Sequence, residues 1–344
     1  MALLPVRLEA GSSAHLGARW TGRSAIVACA LAVPVLVPTL QLHLVWEAAA
    51  WAVAALGLNL AVGFAGQVSL GHAAFVGVGA YTAVILAADH GWPLLAALPA
   101  AGLVAFVLGL VIGVPALRFR GLHLAFLTLA VGSAFGPVVK RLRWLTNGSD
   151  GKVAAVRVAP PAWFGRTREA DRVWLYVVVA LAALVLFVLV ANMLGGRVGR
   201  ALHAMRHDEL AAVAFGVDAR GLRVLMFGLS AGLGGLGGAL LMLPSPFAVE
   251  HVYSPTLSFE LYAAVFLGGI GSLWGCALAG AVIVALPFSV HWFGIYIEPT
   301  LVYGAALVLV TLFLPDGLVG SWRRARARLV VVVPAVPSPE PSRR

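Results

Sequence analysis

VWLYVVVALAALVLFVLVANML, residues 173–194, is a run of 22 positions without one acidic or basic side chain. A helix rises about 1.5 Å per residue, so roughly 20 apolar residues cross the hydrocarbon layer of a bilayer. Reading outward from this run, further apolar stretches lie near 25–45, 47–65, 68–88, 93–117 and 121–139 on one side, and near 222–243, 257–271, 274–291 and 298–314 on the other. That makes ten expected spans and an all-α polytopic membrane protein. Around 47–88 and 257–291 the breaks are marked by glycines rather than charges, as in helices that stop short of a full crossing.

Composition supports the same reading. Of 344 residues, 61% are hydrophobic and 11% charged, whereas soluble domains are about half apolar and about a quarter charged. A water-soluble core needs a charged shell, and this chain lacks the residues to build one. Its mean hydropathy is +0.96. The first apolar stretch follows Arg23 and is too long for a signal-peptide core, so it is expected to remain as a span.

Lysine and arginine set the expected orientation. With both ends inside, the cytoplasmic segments hold Arg7, Arg19, Arg23, Arg118, Arg120, Arg197, Arg200, Arg206, Arg220 and Arg223, and the tail adds Arg323, Arg324, Arg326, Arg328, Arg343 and Arg344. These are sixteen of the 24 basic residues; the remaining eight fall between Lys140 and Arg172 in one outside loop. The expected organisation is a cytoplasmic segment 1–24, a transmembrane domain 25–314 and a cytoplasmic tail 315–344 in the inner (plasma) membrane. An outside loop occupies about 140–172 and an inside loop about 195–221. Pro334, Pro337, Pro339 and Pro341 predict disorder from Val331 onward.

Several chemistries are excluded. Cys29 and Cys276 lie far apart in apolar stretches with no CxxC spacing or histidine cluster, so no metal site is read there. No GxxxxGK[ST], HExxH or GxSxG occurs. Catalytic residues and cofactors are therefore not expected, and any ATP hydrolysis belongs to another chain. The net charge of +10 follows loops and tail rather than one aromatic-rich face, which argues against nucleic acid.

Glycine pairs one helical turn apart, Gly109/Gly113, Gly228/Gly232, Gly234/Gly238 and Gly271/Gly275, predict close helix packing. Asn59, Gln67, Ser69 and His72 are polar groups within an otherwise apolar stretch. Unpaired polar groups in lipid cost several kcal/mol, so these four must face other helices or a wet pathway. Glu260, near the end of its span, is a further pathway candidate. The inside loop carries Asp208 as a helix cap, Glu209 in the first turn and Gly216 as a terminator. Ala212, Val213 and Phe215 give that short helix an apolar surface, suited to docking a partner protein or to lying on membrane lipid.

A family resemblance rests on six elements in order. Asn59 to Tyr81, with the pattern NL..GF.GQ.SLGHAAF.G.GAY, resembles the signature region of LivM-type and LivH-type branched-chain amino-acid ABC permeases. Arg120 to Ala130 is similar to the family's RG..FA..TLA element, and Thr146 to Gly151 to its TGGSDG loop, with Asn147 replacing a glycine. Gly199 to Gly216 resembles GRA..A.R..E.AA...G, Leu267 to Gly275 matches LGG.GS..G, and Leu314 to Leu318 is similar to RPEGL. The loop at Thr146 and the chain length favour the LivM type.

The resemblance implies a fold like that of type II ABC importers and a role as permease subunit and half of the pore. It further implies a second related permease, two cytoplasmic ATPases and an extracytoplasmic substrate-binding protein as partners. The loop holding Arg206, Asp208, Glu209, Ala212, Phe215 and Gly216 would contact the ATPase. Branched-chain amino acids are the expected cargo, with urea or short amides sharing most of the elements. An ion-coupled secondary transporter would need carboxylates in mid-span, whereas Glu47, Asp89, Glu260 and Glu298 fall near predicted span ends.

Overall fold

A computed structural model describes residues 6–9, 41–119, 121–156, 158–161, 165, 167–292, 298–314 and 317–333. One unit, Thr39–Val319, is a helical bundle. Its elements are α1 (Leu42–Asn59, continued by a π-helical turn Leu60–Phe64), α2 (His72–His90), α3 (Leu94–Ala116), α4 (Leu122–Arg141), α5 (Arg168–Gly195), α6 (Arg197–His207) and α7 (Glu209–Ala214). They are followed by α8 (Ala219–Leu241), α9 (Pro255–Gly268), α10 (Leu273–Trp292) and α11 (Pro299–Phe313); α12 (Gly317–Leu329) comes next in sequence.

Helix starts follow local chemistry. Thr167 accepts from Ala170 N at 3.1 Å to open α5, and Asp218 accepts from Gly221 N at 3.0 Å to open α8. Pro255 begins α9, where its missing N–H costs nothing.

The centre of the bundle is α8, packed by α1, α2 and α3. Its glycines make that contact possible. A Cβ on Gly79 of α2 would lie 1.9 Å from the Gly235 carbonyl oxygen, and one on Gly238 would lie 2.0 Å from the Val76 carbonyl oxygen. The backbones touch, which is how helices gain packing energy in lipid. By contrast, α3 and α5 expose Leu103, Val107, Val111, Leu181, Val185 and Leu189. Such an apolar exterior suits a protein whose solvent is hydrocarbon.

At the end of α5 remote from α6, the loop after α4 is pinned to the bundle. Lys152–Val153 (β1) pairs antiparallel with Phe247–Ala248 (β2). Lys152 Nζ sits 2.7 Å from Asp89, and Lys140 Nζ 3.4 Å from the buried Glu250. Below them Tyr81, Phe135 and Tyr253 form a cluster of edge contacts at 5.9–6.3 Å. Burial, with Tyr81 beside it, holds the Tyr253 phenol well above its ordinary pKa. Asn147 has φ +65 and donates to the Gly151 carbonyl at 3.1 Å. Asparagine is among the few non-glycine residues at ease in that left-handed region.

Four expectations are affected. Among the described residues seven helical stretches are long and apolar enough to cross a membrane, so the expected count of ten is not confirmed. The expected span 257–271 becomes α9, whose 14 residues stop at Gly269, at φ +118, and the apolar core of α10 is also short. The boundary drawn at 45–47 vanishes, since α1 runs on from Leu42; residues 25–40 of the first expected span lie outside the described ones. Gly271/Gly275 is not a helical pair, because Gly271 sits in the α9–α10 turn at φ +70.

Of the tail expected to be disordered from Val331, residues 331–333 are described. Val330–Val333 forms a parallel strand pair with Val6–Glu9. Four consecutive valines favour extended backbone, and the first proline comes only at Pro334. The remainder of that tail lies outside the described residues.

Candidate functional site

Two features at the α6 end of the bundle define the site: the break between α1 and α2, and the helix pair α6–α7. The break arises because α1 widens into its π turn and then passes Gly66 at φ +66 before α2 resumes at His72. Backbone left unpaired in a low-dielectric interior must find side-chain partners. Leu70 N is bonded by Thr128 Oγ1 of α4 at 3.0 Å, and Ala73 N by Ser258 Oγ of α9 at 2.9 Å.

All four polar residues singled out in this stretch are buried, but they do different things. Asn59 is fully engaged. Its Nδ2 donates to Ser272 O at 3.0 Å and to Cys276 Sγ at 2.9 Å, and its Oδ1 accepts from Gly271 N at 2.9 Å. It clamps the α9–α10 turn onto α1. Gln67 Nε2 donates to Arg223 O at 2.9 Å, and His72 Nε2 lies 3.2 Å from Ala54 O. Gln67 Oε1, Ser69 Oγ and His72 Nδ1 are buried without a partner. Glu260 stands apart on α9, half-buried, accepting from Thr300 Oγ1 of α11 at 3.1 Å.

In the helix pair, Asp208 separates α6 from α7 and caps the latter, its Oδ1 accepting from Ala211 N at 3.0 Å. Gly216, at φ +86, stops it. Phe215 is 90% exposed and Leu210 84%, a large apolar surface projecting from a polar loop. Ala212, expected on that surface, is buried instead, because it faces the bundle when Leu210 and Phe215 face out. Glu209 is ion-paired within the chain, to Arg223 Nη2 of α8. Arg206 Nη1 donates to Gly63 O in the π turn at 2.6 Å.

A cavity of about 280 Å³ joins the two features, bordered by Gly66, Gln67, Leu124, Met205, Arg206 and Arg223. Sequence reasoning missed Leu210, Arg223, Thr128, Ser258 and Ser272. A helix of six residues is too short for a periodic signal that would separate Leu210 from Ala212. The others act through partners 58 to 213 positions away, a separation invisible to local patterns. Among the described residues there is no group of three metal-ligating side chains.

Residues 41–314 match the family described as branched-chain amino acid transport system / permease component. The chain is 30% identical over 321 residues to the high-affinity branched-chain amino acid transport system permease protein LivM of Salmonella typhimurium, covering 87% of this chain and 74% of that one. It is 32% identical over 290 residues to the LivM protein of Escherichia coli K12, covering 78% and 67% respectively. It is also 25% identical over 296 residues to the E. coli LivH permease, covering 78% and 91%. No solved structure matches the chain.

Proposed function

Because the chain belongs to the branched-chain amino acid transport system permease component family, we propose that it forms half of a translocation pathway for branched-chain amino acids. A second, related permease completes the pathway. Two ATPase subunits drive it from the cytoplasm, and a substrate-binding protein delivers cargo outside. We place both chain termini in the cytoplasm, an orientation supported by the sixteen of 24 basic residues that then fall on that side and that needs one further crossing ahead of Leu42.

The observation that carries this reading is the helix pair α6–α7. It presents Leu210 and Phe215 outward from a polar loop, while Arg206 and Glu209 tie the same pair back to the bundle. A surface built in this way receives a push from a partner and passes it inward. Asp208 and Gly216 fix the length of α7. The pathway runs past Gln67, Ser69 and His72, with Asn59 holding its wall and Glu260 lying farther along. Asn59, Gln67, Ser69 and His72 are buried in the described arrangement, so solute passes only after the α1–α2 break has rearranged. ATP binding and hydrolysis supply that change by favouring one arrangement over the other.

The test is reconstitution in vesicles with the second permease, the ATPases and the binding protein. ATP-dependent accumulation of leucine, isoleucine and valine is expected. Uptake of urea alone would reassign the cargo, and ATP hydrolysis or solute accumulation by this chain unaided would overturn the reading.

A further inference from the structure

The three sequence elements Asn59–Tyr81, Gly199–Gly216 and Leu267–Gly275 meet at one point. Arg206 of α6 donates to Gly63 O, at the end of the π turn. A Cβ on Gly63 would fall 2.5 Å from Gly271 N and 2.0 Å from Asn59 Oδ1, and one on Gly271 would fall 3.5 Å from Arg206 Nη1. The helix pair, the α1–α2 break and the α9–α10 turn are therefore in direct register. Arg206 is otherwise exposed, so its one inward contact is not the by-product of a buried side chain.

The segment beyond Gly63 is poised for a second arrangement. Its backbone is held by single tethers, Gln67 N to Ala61 O at 2.8 Å, Leu70 N to Thr128 Oγ1 and Ala73 N to Ser258 Oγ. Three of its buried polar atoms, Gln67 Oε1, Ser69 Oγ and His72 Nδ1, go unmatched, and Gly66 has open space where a side chain would be. A segment with unmet hydrogen-bonding capacity gains from any rearrangement that satisfies it. Neighbouring α8 has no such slack, being locked by backbone contacts at Gly235 and Gly238.

We propose that Arg206 is a positioning residue that transmits movement of α6–α7 to the break between α1 and α2, through the Gly63 carbonyl. Displacement of the helix pair pulls on the last turn of α1, and residues 65–71 change partners while α8 stays fixed. This inference rests on the permease reading above and adds the link through which the motor acts. The bond joins a cation to a carbonyl, stronger than a neutral pair, and it is directional. Arg206→Lys retains one donor; Arg206→Gln is uncharged and too short to reach.

The experiment compares wild type, Arg206→Lys and Arg206→Gln in the reconstituted assembly, measuring leucine transported per ATP hydrolysed. In Arg206→Gln the ATPases remain bound and active while the transport ratio falls about tenfold; Arg206→Lys recovers part of it. An unchanged ratio in Arg206→Gln overturns the link, and so does loss of ATPase binding, which would make Arg206 a docking contact. A wild-type assembly that moves no solute with ATP overturns the permease reading instead, and is recognised by its failure before any substitution. Hydrogen exchange on the chain alone in detergent gives a second readout. Arg206→Gln is expected to accelerate exchange at residues 65–71 and leave α8 protected; unaltered exchange there also overturns the link.

Discussion

Asn59 illustrates how a polar side chain earns a place in a hydrocarbon-facing protein. Its amide meets the turn between α9 and α10 and the first turn of α10 through three bonds of 2.9–3.0 Å, so the desolvation of both is offset. Asn59→Ala leaves Gly271 N unpaired and opens a void, costing about 2–4 kcal/mol. Asn59→Asp is worse, because it replaces the donor to Ser272 O with a charge. In a chain with Cys29 replaced by serine, the buried Cys276 should become reactive to a maleimide in Asn59→Ala, and the thermal midpoint in detergent should fall; slow labelling equal to wild type would deny the clamp. Glu209 gives a second test. Glu209→Lys sets two cations together at Arg223 and is expected to abolish uptake while membrane insertion survives. If the intrachain pair is the reason, Glu209→Lys with Arg223→Glu restores most uptake; a charge contact to the ATPase predicts no restoration. The sequence made both residues conspicuous by their polarity, but their partners lie 14 to 217 positions away, and polarity alone does not name a partner.

At the scale of elements, the glycine spacing was informative where the helix was continuous. Gly234/Gly238 and Gly228/Gly232 do lie in α8, against α2 and α3 respectively. It misled at Gly271/Gly275, where the same spacing straddles a turn whose φ values only glycine adopts comfortably. The hydropathy that located α3, α5 and α8 reports on length and apolarity, and so overcounted at α9. There an apolar run is interrupted by backbone conformation rather than by charge. Contact between α2 and α8 leads to a sharp prediction. Gly79→Ala puts a methyl 1.9 Å from the Gly235 oxygen, so the helices must part along their length. Expression in the membrane and the thermal midpoint should both drop severely, whereas Gly304→Ala, with open space around it, should behave as wild type. Equal midpoints for the two variants would mean that α2 and α8 do not cross at these glycines.

For the whole molecule, the proposed function raises the question of where work from separate ATPase subunits enters this chain. Among the described residues, two of the exposed apolar surfaces differ in setting. Along α3 and α5 the exposed leucines and valines belong to helices long enough to span the bilayer, so lipid accounts for them. Leu210 and Phe215 lie in a polar loop between spans, the first on a helix of six residues and the second at its C-cap, and burying them against a partner would gain roughly 1.5–3 kcal/mol each. If the partner is the ATPase, Leu210→Asp with Phe215→Asp leaves insertion and the thermal midpoint of the isolated chain near wild type, since neither side chain is packed. The same variant should lose ATPase co-purification and with it all ATP-driven uptake. If α7 rests on lipid instead, the variant will keep its ATPases, and the loss will appear as weaker exchange protection of α7 in vesicles than in wild type. Co-purification of both ATPases at wild-type stoichiometry with the double variant would remove α7 as the point of entry for force.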